Sequence, residues 1–274
     1  MNYIKRKAYH KKYKLYKYGI LKIVNGKTVK VDRLNTLLYE YMAVYKSQCD
    51  PYHIFDKDHD LIFQYIDLIK NQKKLPTDVP KPLFWQPNIS IICDDPINSM
   101  SYLSTTLERM YFRDVCIQLI GFPLLTGKFI DNLAEYLKGK KVLEIMSGCG
   151  SLSYFLEEKG IKCITTDNYS WEDRWNIIWK KPIKIDAVKA IEKYGKYVDY
   201  VLMSWAYMDD TAYRCLNAMR KVNPNLRMLY IGEGAGGATA NDKFFEAAEE
   251  NMNHLHDLGL ISHYGIHDQI FEIK

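Results

Sequence analysis

From Thr126 to Lys274, short β-rich runs alternate with helical ones, which leaves few folds open to this half of the 274-residue chain. The helical run GKFIDNLAEYLKG leads into a strand, KVLEIM, then a turn, SGCG, then a helix, SLSYFLEEKG. Further strands follow: KCITTD, ending on Asp167; PIKID, ending on Asp186; and VDYVLMSW. The helical run DDTAYRCLNAMRKV precedes a fifth strand, RMLYIGEG. Strands that alternate with helices predict a mostly parallel sheet with helices on both faces. Next, Phe244, Ala248, Met252 and Leu255 lie on one face of a predicted amphipathic helix. The closing run ISHYGIHDQIFEIK reads as two short segments around a turn at His267-Asp268. Segments so close together predict an antiparallel hairpin at one edge.

In an open α/β sheet, ligands bind beyond the carboxyl ends of the strands. Three successive strand ends here carry suitable chemistry. Gly148 and Gly150 allow a tight turn and close approach of backbone to a ligand. Asp167 ends the next strand, where a carboxylate can take two ribose hydroxyls, and Asp186 ends the one after, where it can accept from an adenine amino group. Together they predict a nucleoside site. The dinucleotide fingerprint G-x-G-x-x-G is absent, because Ser153 stands at its last position. Glu144, inside the first strand, would repel a pyrophosphate but can order the loop around a cationic ligand.

At VLEIMSGCGSLS the chain resembles motif I of the class I S-adenosylmethionine-dependent methyltransferases, an acidic residue followed by G-x-G-x-G. The resemblance covers about half the chain, from Thr126 onward, and implies a Rossmann-like sheet with a reversed terminal strand. It implies S-adenosyl-L-methionine as the cofactor, held by Glu144, Met146, Gly148, Gly150, Asp167, Asn168, Asp186, Ala187 and Ser204. Met146 departs from the motif, standing where its first glycine would be. At the fourth strand, Ser204-Trp205-Ala206-Tyr207 resembles the [D/N/S]-P-P-[Y/F] of amino-group methyltransferases acting on bases, without its prolines. In that motif the first residue accepts from the target amine and the aromatic stacks on a flipped base. Ser204 and Tyr207 are therefore candidate catalytic residues, or else a strand end and a buried ring. Glu233, at the end of the fifth strand, is a third candidate, as a base or an anchor for an amine, or else an acid at a loop start. It opens GEGAGGATAND, a glycine-rich connector or lid. Trp171 and Trp175 either cover the adenine face or belong to the core, and Asp209 and Asp210 are expected to cap the following helix.

The net charge of +5 is unevenly spread. Residues 1–33 hold eleven Lys or Arg and one acid, while the remainder holds 27 basic and 32 acidic side chains. Tyr3, Tyr9, Tyr13, Tyr16 and Tyr18 alternate with those lysines. Cations for phosphates beside rings for bases suit an arm that binds DNA or RNA; the other reading is a solvated tail. Within the arm, Asn25-Gly26 between two β-rich runs predicts a hairpin. The expected organisation is an arm over 1–33, a small helical subdomain over 34–125, and the cofactor-binding domain over 126–274. In the middle part, Leu34, Leu37, Leu38, Tyr41, Met42 and Tyr45 are helically spaced, and another helix is expected from about Ser99 to Leu119. Between them LPTDVPKPLFWQP, with four prolines, reads as an extended connector.

No apolar run reaches the 18 residues that suggest a membrane span, and the basic N-terminus has no apolar stretch behind it, so a cytoplasmic protein without membrane contact is expected. Six scattered cysteines without a C-x-x-C pair read as reduced thiols. His254 and His256, two apart on a predicted helix, would point away from each other and make a poor metal pair. A small-molecule or protein methyltransferase, and a non-catalytic binding protein of the same fold, stand beside the nucleic-acid reading.

Overall fold

The computed structural model describes residues 13–16, 19–24, 27–31, 64–79, 112–171, 175–263 and 265–274. The helix expected over residues 33–46 lies outside them, as does the first part of the helix expected from Ser99; residues 64–70 and 112–120 are helical. Strands β1 (Tyr13–Tyr16), β2 (Gly19–Val24) and β3 (Lys27–Val31) form an antiparallel sheet in that order. Val24 stands opposite Lys27 across β2 and β3, and the expected turn residues Asn25 and Gly26 lie outside the described residues.

The main sheet has seven strands: β4 (Lys141–Ile145), β5 (Lys162–Asp167), β6 (Ile183–Lys184), β7 (Tyr200–Ser204), β8 (Arg227–Gly232), β9 (Met252–His254) and β10 (Gln269–Ile273). Their spatial order is β6-β5-β4-β7-β8-β10-β9. From β6 to β8 every pairing is parallel, while β10 runs antiparallel to both β8 and β9. The order reverses between β4 and β7, and there the carboxyl ends of neighbouring strands diverge to leave a crevice.

The helices are α1 (Gly127–Tyr136), α2 (Ser151–Glu158), α3 (Ala187–Tyr194), α4 (Thr211–Val222) and α5 (Asp242–Ala248). Most starts have a local side-chain cause. The Thr126 hydroxyl accepts from Phe129 N and begins α1, and the Asp186 carboxylate accepts from Val188 N and Lys189 N and begins α3. The Asp209 carboxylate accepts from Thr211 N ahead of α4, whereas Asp210 bonds Asn241 and Lys243 instead.

Strand β4 is buried on both sides from Val142 to Ile145, as a central parallel strand should be. Alternate residues feed two cores. Val142, Leu229, Ile231 and Ile270 pack with α1 and α2, while Leu143, Val201, Met228, Tyr230 and Phe271 pack with α3, α4 and α5. Tyr65, Ile69 and Phe112 share the first of these cores, and the Tyr65 hydroxyl donates to Leu125 O at 3.0 Å. The described parts of the expected middle subdomain therefore pack on the sheet itself.

Three expectations change. The helix that was to carry Met252 and Leu255 ends at Ala248, passes through a 3-10 turn at Glu249–Asn251, and gives way to β9. Pairing of Met252, Asn253 and His254 with β10 outweighs the helical spacing of the apolar residues. The reversed strand β10 is present, but its hairpin-like partner is β9; Ile261 makes only an isolated bridge to Leu124. His254 ends β9 and His256 opens a 3-10 turn, so the two do not share an α-helix, and their ring centroids lie 3.5 Å apart. Among the described residues no group of three or more His, Cys, Asp or Glu is gathered for a metal. Nor is any helix there long and apolar enough to cross a membrane. The four described cysteines are free thiols.

Candidate functional site

A cavity of about 570 Å³ opens at the carboxyl ends of β4, β5 and β7. Its wall includes Glu144, Met146, Gly148, Asp167, Asn168, Asp186, Ala187, Ser204 and Tyr207, nearly every residue singled out in the sequence. Gly150 and Glu233 are not part of it.

The glycine turn is held from several sides. Asp167 Oδ2 accepts from Gly148 N at 2.9 Å, and its Oδ1 accepts from Tyr169 N at 2.6 Å. The loop after β5 returns across the turn. Trp179 N and Lys180 N donate to Cys149 O, Asn176 N donates to Gln118 O, and Trp179 Nε1 donates to Leu119 O. A Cβ on Gly150 would fall on the Lys180 carbonyl oxygen, and one on Gly148 would come within 2.6 Å of Trp175 Cζ2. Both residues also have left-handed backbones, with φ +69 and +57. Gly150 is thus a glycine because the returning strap lies on it, rather than for close approach to a ligand. Trp175 lines the cavity beside the turn.

Met146 takes the left-handed conformation itself, with φ +53, and bears the strain that the glycine of the related motif would avoid. Glu144 is buried, and its Oε2 accepts from Ser153 N and Ser153 Oγ, tying β4 to the first turn of α2. Burial pushes its carboxyl up to about 7, against the pull of those hydrogen bonds. Asn168 Oδ1 accepts from Ser170 N.

At the other end of the cavity, aromatic rings gather. Phe122 stacks on Trp205 with centroids 4.9 Å apart and planes 10° apart, and Trp171 meets Tyr207 edge-on at 4.7 Å. Tyr207 is half exposed at the mouth, whereas Ser204 Oγ is buried with no hydrogen-bond partner among the described residues. Glu233 lies behind this wall. Its Oε2 accepts from Ala238 N and its Oε1 from His267 N, so it pins the glycine-rich loop down. That loop is further closed by Gly237 N on Gly234 O and Thr239 Oγ1 on Glu233 O.

Sequence reasoning had passed over Asp268 and Arg113. Trp205 Nε1 donates to Asp268 Oδ1 at 2.8 Å, and the Arg113 guanidinium lies 5.9 Å from the centre of the Trp205 ring. Burial pushes the Asp268 carboxyl up to about 7; the Trp205 hydrogen bond and Arg113 work against this, and Glu233 adds to it. No local signal marks Asp268, which meets Trp205 across 63 positions of sequence.

No protein-family model matches the sequence, and no curated protein does. Among solved structures the chain is similar to TehB from Haemophilus influenzae, at 14% identity and a TM-score of 0.36. That match covers 59% of this chain and 66% of TehB, just under two thirds. It is also similar to the mitomycin 7-O-methyltransferase MmcR (14% identity, TM-score 0.35, 93% of this chain and 79% of that one). A third similarity is to the fibrillarin/Nop5p complex (17% identity, TM-score 0.33, 53% of this chain and 80% of that one). Strand order carries the assignment without them. A parallel sheet with a reversed strand set between β8 and β9, and a glycine turn after its first strand, is the Rossmann-like fold of class I methyltransferases.

Proposed function

We propose that the chain is an S-adenosylmethionine-dependent methyltransferase acting on nucleic acid, with a base amino group as acceptor. The observation that carries the cofactor reading is the charge of the cavity wall. Glu144, Asp167, Asp186 and Asp209 line it with Arg214 as the one cation among the described residues. The Asp167, Asp186 and Asp209 carboxylates repel the pyrophosphate of a dinucleotide and favour a ligand bearing a sulfonium and an ammonium, and Glu144, pushed up to about 7 by burial, adds to them once it ionises. Asp167 and Asp186 lie at adjacent strand ends, and each keeps acceptor capacity beyond the backbone bonds it already makes, enough for ribose hydroxyls and an adenine amino group.

When bound, the cofactor supplies an electrophilic methyl group. The chain's own part is to hold the acceptor in line and exclude water. Ser204 Oγ, buried and without a partner, is placed to accept from an amine N–H and keep the nitrogen lone pair directed at the methyl group. Tyr207 and Trp171 offer faces and edges for a planar base at the mouth. The basic arm over residues 1–33 supplies contacts to phosphates.

The test has two stages. Calorimetric titration with S-adenosylmethionine is expected to give micromolar binding that Asp167→Ala abolishes; no binding by a folded wild type refutes the cofactor reading. Transfer of labelled methyl to single-stranded DNA and RNA oligonucleotides is then compared for the full chain and a chain lacking residues 1–33. Activity on an oligonucleotide that falls with the arm supports the acceptor reading, and activity confined to small acceptors refutes it.

A further inference from the structure

The Trp205 ring is fixed more firmly than packing requires. Its backbone is left-handed, with φ +54, a conformation that bulky residues adopt only when their surroundings compel it. Trp205 N donates to Ile231 O at 2.8 Å, its ring stacks on Phe122, and its Nε1 donates to Asp268 Oδ1. The last of these is the unusual one. Asp268 is only 8% exposed, and its Oδ2 has no hydrogen-bond partner among the described residues. A buried carboxylate is an expensive way to hold an indole, since a backbone carbonyl would suffice and an apolar side chain would favour stability. What the side chain adds is an acceptor oxygen set 2.8 Å from the indole nitrogen, which fixes the direction of the ring.

We propose that Asp268 is a positioning residue for the acceptor end of the cavity, fixing the Trp205 ring as the wall against which a planar acceptor is aligned beside Ser204. The inference rests on the methyltransferase reading above. The residue is itself anchored: Ser262 Oγ donates to Asp268 O, and the neighbouring His267 N donates to Glu233 Oε1. A shift of either anchor is therefore passed to the indole.

The experiment uses the full chain, labelled with ¹⁵N at the indole nitrogens of its five tryptophans. Trp205→Phe identifies the Trp205 Nε1–H signal. Asp268→Ala is expected to speed exchange of that proton at least tenfold and to raise the KM for a single-stranded oligonucleotide at least tenfold, with S-adenosylmethionine affinity within twofold of wild type. Asp268→Asn, which keeps an acceptor oxygen, is expected to restore both, and Asp268→Ala to have no further effect on KM when combined with Trp205→Phe. Unchanged exchange and KM in Asp268→Ala overturn the proposal. So does an equal loss of cofactor affinity and thermal stability in both Asp268 variants, which marks a purely structural role. If wild type transfers no methyl to the oligonucleotide, the acceptor reading fails, and the indole exchange decides the Asp268 proposal by itself: tenfold faster exchange restored by Asn supports it, and unchanged exchange overturns it.

Discussion

Three glycines separate the strain of a left-handed backbone from the crowding of the returning strap. Gly160 has φ +85 with nothing within 4 Å of an added Cβ, so Gly160→Ala carries only the backbone term, about 1 kcal/mol. At Gly148 the Cβ meets the far end of the Trp175 ring, which can swing aside, so Gly148→Ala is expected to cost about 1–2 kcal/mol and to change tryptophan fluorescence. At Gly150 it meets the Lys180 carbonyl, which is backbone. The strap must lift, and Trp179 N loses its 2.9 Å bond to Cys149 O. A buried backbone bond lost adds about 1–3 kcal/mol to the conformational term, giving about 3 kcal/mol for Gly150→Ala. Urea unfolding of the three variants at constant m reads the series directly. If Gly150→Ala falls within about 0.5 kcal/mol of Gly160→Ala, residues 175–182 do not lie on the turn and the argument fails.

Glu144 is neutral in the fold up to about pH 7 but ionises near 4.5 when unfolded, so its burial stabilises below pH 4.5 and that contribution is lost as pH rises through 7. Glu144→Gln should therefore gain about 3 kcal/mol on wild type between pH 4.5 and 8, measured by denaturant unfolding at each pH. His263 behaves oppositely: burial lowers it to about 3, so the fold loses stability as pH falls below 6.5. His263→Leu should remove roughly 2–3 kcal/mol of that loss between pH 6.5 and 4.5 in the same measurement. Met146→Gly relieves a left-handed backbone at the expense of a half-buried side chain; a change in unfolding free energy within about 1 kcal/mol is expected, where an alanine in its place should cost more. Ser204→Ala should slow methyl transfer about 10- to 100-fold, a larger loss than any in cofactor affinity, read by steady-state kinetics beside calorimetry.

The strands and the acids at their ends were legible because their signals are local. Asp167 is the last residue of β5, and Asp186 stands two positions beyond the end of β6. The reason for Gly150 was hidden, because the residue that requires it, Lys180, is thirty positions further on and follows no local pattern. Met252 misled for the opposite reason: its spacing from Phe244 and Ala248 suits a helix, and only the partner strand β10 shows that it belongs to a sheet. Glu233 was chosen for its place at a strand end, where acids often act on ligands. Its neighbours turn both of its oxygens to backbone N–H groups instead.

The interposed strand β10 also sets the order in which this sheet can be completed. During synthesis β4 to β8 can pair as each emerges, but β9 is made before the strand that will hold it. Until Gln269–Ile273 arrives, the backbone of Met228–Gly232 is an open parallel edge and Met252–His254 has no ladder to join. A sheet of β4 to β8 alone would leave Met228–Gly232, buried in the finished fold, as a bare edge. That stage, rather than the finished fold, is where aggregation or chaperone capture would act.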